Sequence, residues 1–315
     1  MADLKIGYAI NQWDTIRRDS QERALKTIAV CGFRAIELTS GTGRWAPLGR
    51  PELLDVNFGS THALMDFLKS CGIDHVVSWF YDPGANSIEE GSPGRTPSNP
   101  AHHDGIVQSL APFARRLREL GGSVLVARPM ASYWREAPVT DDKIKVAADC
   151  WNKVGRMTQA EGIATTLHPD FLGALHSDRD IATMLRFTDP SLVGLTIDTA
   201  EFAIAGIDPV AFYNEHSDRV RHFHFKDAHD RDTLGEYKER AAEAFLLDGG
   251  GKRAIERWFW EMGTPGGLVD FPALVRAMTR HRYQGWVIVE SDRGPSAVES
   301  AMLNSWYVQK VIAPL

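Results

Sequence analysis

Four short apolar runs in the second half of the chain end in residue types that bind divalent cations. TTLHPD carries His168, LTIDTAE carries Asp198, HFHFKD carries His224 and VIVESD carries Glu290. Two imidazoles and two carboxylates together suit an ion such as Mn2+, Co2+, Zn2+ or Mg2+. A cation held there would polarise a carbonyl or hydroxyl and stabilise an enolate. One such residue alone is ordinarily a helix cap or a loop anchor. Four at equivalent places on successive runs make a ligand set. His176 and Asp170, just past His168, are alternative donors for the first place. His222 precedes His224 by two residues on the same strand face, and is read as packing deeper or holding a carboxylate behind the ligands.

Such a set needs elements that bring distant stretches to one place, and a repeated transition supplies them. A helical pattern ends, a Gly follows, and a short β-rich run begins. It appears as CGFRAIEL (31–38), CGIDHVVS (71–78), GGSVLVA (121–127), EGIATTLH (161–168), VGLTIDT (193–199) and QGWVIVE (284–290). KIGYAI (5–10) and RVRHFHF (219–225) bring the strands to eight. Gly tolerates the positive φ that ends a helix, and the runs read as strands buried on both faces. Helical periodicity covers 20–30 with Ser20 as N-cap, 101–119, 140–160 opening on Thr140, a capping box at Ser177 and Asp180, 270–281 and 296–312. Strands alternating with helices imply a parallel sheet with right-handed crossovers. Over 315 residues this predicts a single α/β domain, 1–315, folded as a closed (β/α)8 TIM barrel. The strand C-terminal ends, and the four donors, then share one mouth.

Two segments break the rhythm, and both follow strand ends on that face. Residues 82–100 are rich in Gly, Pro and Ser. Residues 228–267 form a long inserted loop with a short helix after strand 7, a lid-like segment. Its Trp258, Phe259 and Trp260 are read as exposed, suited to a homo-oligomer contact or a substrate cap. Composition narrows the function further. The 35 Lys+Arg against 41 Asp+Glu leave a net charge of −6, which argues against a nucleic-acid partner. No 18-residue apolar run points to a membrane. No basic-then-apolar leader opens MADLKIGYAINQW. Three widely spaced cysteines form neither a CxxC pair nor a disulfide framework, so a cytoplasmic, reducing location is expected. No GxGxxG or GxxxxGK[ST] turn offers a dinucleotide or P-loop site.

Several segments resemble the xylose-isomerase-like barrel superfamily, in its sugar phosphate isomerase/epimerase group, and most of all the inosose dehydratase family of myo-inositol catabolism. LHPDFLGALHS resembles that family's His-Pro-His segment, and LTIDTAEFAIAGIDP its Asp-Thr-Gly-His segment. RVRHFHFKD resembles its His-x-His-x-Lys-Asp strand, MGTPGGLVDF its Pro-Gly-Asp-Gly loop, and YQGWVIVESDRGP its Tyr-x-Gly-Trp segment. The resemblance implies an α/β barrel with one divalent metal ion, commonly Mn2+ or Co2+, held by His168, Asp198, His224 and Glu290. It departs at His168, where many epimerases carry Glu, at Glu201, which replaces a His, and at Asp170, which replaces another.

The implied substrate is a polyol bearing a ketone, a keto-cyclitol or keto-sugar, handled through a metal-stabilised enediolate. Loss of a β-hydroxyl makes the enzyme a dehydratase or lyase. Return of the proton elsewhere makes it an isomerase or epimerase, and loss of a β-glycosyl group a lyase on 3-keto-glycosides. Glu290, Glu201 and His168 are the candidate bases. Lys226 is a candidate partner for an oxyanion, or for Asp227 or Glu201 in an ion pair. Glu37 and Arg293 are expected to meet substrate hydroxyls. Trp79, with Trp13, Phe80, Tyr133 and Trp134, is expected to wall the sugar ring.

Overall fold

The computed structural model describes residues 4–41, 45–89, 94–246 and 255–315. The Gly-led runs become strands: β1 (Lys5–Ala9), β2 (Ala35–Thr39), β3 (His75–Tyr81), β4 (Val124–Ala127), β5 (Ala164–Leu167), β6 (Val193–Asp198) and β7 (Val220–Phe225). Two short strands follow, β8 (Asp227–Ala228) and β9 (Phe259–Trp260), and then β10 (Trp286–Val289). The eight long ones close into a parallel barrel in the order β1-β10-β7-β6-β5-β4-β3-β2. Gly72 shows why the punctuation is glycine: its φ is +92°, and a Cβ there would lie 2.8 Å from the Ala29 side chain. Ala9, Ala35, Val77 and Ile288 pack together within the barrel. There Gly7 leaves the room, since a Cβ would come 2.9 Å from Ile288 and 3.0 Å from the Ala35 carbonyl.

Helices cover the outside. Thr140 accepts the Lys143 N–H, and Ser177 both accepts the Asp180 N–H and donates to its carboxylate. The first helix departs from expectation. It begins at Arg18, and Ser20 stands inside its first turn, accepting the Arg17 N–H at 3.1 Å and donating to the Arg17 carbonyl. None of the described helices is long and apolar enough to cross a membrane. The three cysteines are free thiols.

The segment after β7 packs inward. Antiparallel β8–β9 pairing turns Trp258 and Phe259 under, to 0% and 2% exposure, against Phe171 and Leu172 after β5 and Ala200 in the helix after β6. The expectation of three exposed aromatics is therefore corrected. Only Trp260 is half-buried, stacked flat on His229 at 4.0 Å.

Asp227 anchors this segment. Its Oδ1 accepts the N–H groups of Ala228, Leu268 and Val269. Burial, against those bonds, pushes its carboxyl up from 3.8 to about 6. The folded state thus binds the proton more tightly than the unfolded chain. The stabilisation is complete below about pH 4 and is lost as pH rises through about 6, on the order of 3 kcal/mol. Asp227→Asn keeps an Oδ1 acceptor without the charge. It is expected to match the wild type in urea unfolding at pH 4 and to exceed it at pH 8; a variant less stable at pH 8 would contradict this.

Candidate metal centre

Parallel strands place their C-terminal residues on one rim, and here that rim gathers the donors. His168 follows β5, Asp198 ends β6, His224 lies in β7 and Glu290 follows β10. One donor atom from each lies within 4.8 Å of every other. Asp198 Oδ2 is 3.4 Å from His168 Nε2 and 3.8 Å from His224 Nδ1, and His224 Nδ1 is 2.8 Å from Glu290 Oε2. His168, Asp198 and His224 are buried, and the Glu290 side chain is 12% exposed. Asp198 Oδ2, both ring nitrogens of His168 and His224 Nδ1 are buried without a hydrogen-bond partner. Buried polar atoms left unpaired are costly, and lone pairs from four side chains converging this way fit a divalent cation. Asp198 divides its work: Oδ1 accepts the Ala200 and Glu201 N–H groups, both at 3.0 Å, capping the next helix, while Oδ2 faces the cluster.

Asp170 and His176 take other partners. Asp170 pairs with Arg128 at 2.7 Å, with Asp82 on the far side of the guanidinium at 3.3 Å. The His176 ring stacks on Tyr237 at 3.5 Å and its Nδ1 lies 2.6 Å from the Phe171 carbonyl. His168 is the member of that segment in the cluster.

Lys226 is 1% exposed, and its carboxylate partners include Glu201 and members of the cluster. Its ammonium lies 2.6 Å from Asp292, 3.1 Å from Asp198, 3.4 Å from Glu290 and 3.7 Å from Glu201, and 4.2 Å over the Phe259 ring. Burial would lower its pKa, but those carboxylates raise it well above the ordinary lysine value, so it stays charged. Asn11 tethers the same group, donating to Glu290 at 2.7 Å and Asp292 at 2.6 Å. Sequence reasoning missed Asn11 and Asp292, although each stands just past a barrel strand.

The electrostatics separate the two glutamates from Asp198. Burial raises Glu201 well above the ordinary range, helped by Asp198 and Asp170 against Lys226. Its Oε2 accepts the Phe171 N–H at 2.9 Å. Burial also raises Glu290, with Lys226 opposing. Asp198 runs the other way: burial is outweighed by Lys226 and His168, which hold it ionised. His224 is raised well above 6.5, since Glu37 and Glu290 outweigh burial.

Two residues expected to contact substrate have protein partners on every side that the structure describes. Glu37 is 1% exposed inside the barrel, accepting from Ser78 at 2.7 Å and lying 3.2 Å from His222 Nε2 and 3.0 Å from His224 Nε2. Burial would raise its pKa, but the two histidines hold it well below the ordinary range. Trp79 is fully buried and packs edge-on to Phe113 in the helix layer, because β3 alternates its faces. Its neighbour Phe80 faces the cluster instead, its ring T-shaped to His168 with centroids 5.4 Å apart. Trp79→Ala is expected to cost about 3–5 kcal/mol of unfolding free energy and to leave cation affinity unchanged. Weakened cation or substrate binding at unchanged stability would return Trp79 to the site. Arg293 is exposed on the loop that follows Glu290, with φ at 53°. Trp13 is buried, Tyr133 packs edge-on to Tyr237, and Trp134 Nε1 donates to Glu243 at 2.6 Å.

Comparison with known proteins agrees with this architecture. Inosose dehydratase from Clostridium beijerinckii is 28% identical over 207 residues, 62% of this chain and 66% of that one. The chain spans half to two-thirds of the length of the first relatives it matches. Among solved structures, a sugar phosphate isomerase/epimerase from Parabacteroides distasonis superposes with a TM-score of 0.69 at 18% identity, over 98% of both chains. The IolI protein, solved with a bound zinc atom, superposes with a TM-score of 0.67 at 16% identity, over 99% of both. The sequence also matches the xylose isomerase-like TIM barrel family over residues 25–306, so the chain belongs to that family.

Proposed function

We propose that the protein is a divalent-metal-dependent lyase that removes water from a keto-cyclitol or keto-sugar, as the inosose dehydratases it resembles are named for doing. The observation that carries the proposal is the convergence of buried, unpaired donor atoms from His168, Asp198 and His224 with the Glu290 carboxylate, beside a carboxyl, Glu201, that favours its protonated form. Those four residues would hold the ion, and Mn2+, Co2+ or Zn2+ suits their mixed nitrogen and oxygen donors. Bound there, a divalent cation supplies Lewis-acid polarisation of carbonyl and hydroxyl oxygens.

The chain's own groups divide the proton work. Glu290 retains some solvent access, with its side chain 12% exposed, and its raised pKa suits it to accept a proton from the carbon beside a ketone. Glu201 holds a proton to give to a departing hydroxyl. Lys226 and Asn11 keep Glu290 and Asp292 in place. With His at position 168, the set lacks the second glutamate that proton transfer between two faces of one carbon would use. This favours elimination over epimerisation.

The test is turnover of a panel of keto-cyclitols and 3-keto-glycosides with added Mn2+ in deuterated water. Loss of water from a keto-cyclitol is expected. Deuterium incorporated beside the ketone without water loss would select the isomerase or epimerase reading, and glycoside cleavage the 3-keto-glycoside lyase. No reaction across the panel would overturn the proposal.

A further inference from the structure

We infer that Glu37 is a positioning residue that fixes which nitrogen of His224 faces the donor cluster, and through it the cluster's grip on a divalent cation. The inference rests on the reading of His168, Asp198, His224 and Glu290 as cation ligands. An ionised carboxylate only accepts hydrogen bonds. Glu37 collects three groups, the Ser78 hydroxyl at 2.7 Å, His222 Nε2 at 3.2 Å and His224 Nε2 at 3.0 Å. Each facing imidazole nitrogen therefore carries a hydrogen. With Nε2–H of His224 committed to Glu37, its Nδ1 is the atom left to ligate. That atom lies on the cluster side, 2.8 Å from Glu290 and 3.8 Å from Asp198, and has no hydrogen-bond partner.

The strands are built irregularly at these residues. Against β2, β3 slips by one residue after Ile36, so that Val77 is skipped and Glu37 stands opposite Ser78. Against β6, β7 slips after Leu195, so that Arg221 is skipped; Thr196 then faces His222, and Asp198 faces His224. Each extra residue immediately precedes a member of the Glu37 network. Bulges that re-aim a side chain occur next to functional sites. Without the second slip, strand alternation would carry His222 and His224 out of register with Thr196 and Asp198. A carboxylate that orients a ligating imidazole raises ligand basicity as well as fixing the ring.

The experiment uses chelator-stripped full-length protein and Zn2+ as the probe. Zn2+ affinity is measured by dye competition for the wild type, Glu37→Gln and Ser78→Ala. The His224 protonation pattern is read from long-range 1H–15N spectra of the Zn2+-loaded, 15N-histidine-labelled wild type. The wild type is expected to carry its hydrogen on Nε2 of His224. Glu37→Gln offers one acceptor oxygen to two histidines, and is expected to bind Zn2+ about 10- to 100-fold more weakly. Ser78→Ala removes one hydrogen bond to Glu37 but no histidine contact, and is expected to weaken Zn2+ binding less than Glu37→Gln does. Wild-type His224 protonated on Nδ1 overturns the inference alone, and is read without any variant having to fold. Glu37→Gln with wild-type affinity also overturns it alone. A wild type that takes up no Zn2+ overturns the ligand reading, and this inference with it.

Discussion

Asp198→Asn is expected to lower kcat/KM by about a thousandfold while leaving the chain folded. Asp198 Oδ1 caps the following helix through the Ala200 and Glu201 N–H groups, and an Asn keeps that acceptor. The other end of the side chain changes completely. Oδ2 is buried and unpaired by hydrogen bonds, 3.4 Å from His168 and 3.1 Å from the Lys226 ammonium. An NH2 group there turns a charged donor atom into one that repels a cation. Loss of the charge stabilisation a divalent ion supplies is worth several kcal/mol in the transition state, and each 1.36 kcal/mol is tenfold in rate. Steady-state kinetics beside thermal unfolding check this. Activity within tenfold of wild type would place the chemistry elsewhere, and an unfolded variant would show that the cap, not the donor, dominates.

Lys226→Met is expected to destabilise the protein by about 3–5 kcal/mol, the cost of breaking a buried ion pair by removing one partner. Met matches the stem and its packing over Phe259 but leaves Asp198, Glu201, Glu290 and Asp292 without their shared cation. The arithmetic of charge then predicts a rescue. A divalent ion bound beside those carboxylates restores part of the loss, about 2.7 kcal/mol at a hundred times its Kd. Urea unfolding with and without Mn2+ measures both effects. A loss below 1 kcal/mol would mean that the carboxylates neutralise themselves by protonation. A large loss with no response to Mn2+ would mean that Lys226 alone supports the fold.

What the sequence made legible follows from geometry that needs no knowledge of contacts. Gly followed by a β-branched run recurs where a helix must reverse into a strand, so the strands could be laid out in order. In a parallel barrel every strand ends on the same rim, so His168, Asp198, His224 and Glu290 could be placed together from position alone. What stayed hidden depended on parity and long-range partners. HVVSWFY is buried on both faces, so polarity gives no clue that Phe80 points in and Trp79 out, and the extra residue at Val77 shifts the alternation besides. Glu37 reads as a strand-end hydroxyl binder because nothing local reveals that two histidines of β7 lie against it across the barrel. Trp258 and Phe259 sit in a segment without periodicity, and only the β8–β9 pairing shows that they face inward. Lys226 stands next to Asp227 in sequence, yet all four of its carboxylate partners come from the β6 and β10 rims.

The most direct test of the central claim is a calorimetric titration of the chelator-stripped wild type with Mn2+. Cooperation of His168, Asp198, His224 and Glu290 at one site predicts a single saturating event of one ion per chain. No binding heat across the millimolar range, or several ions taken up with equal affinity, would contradict it.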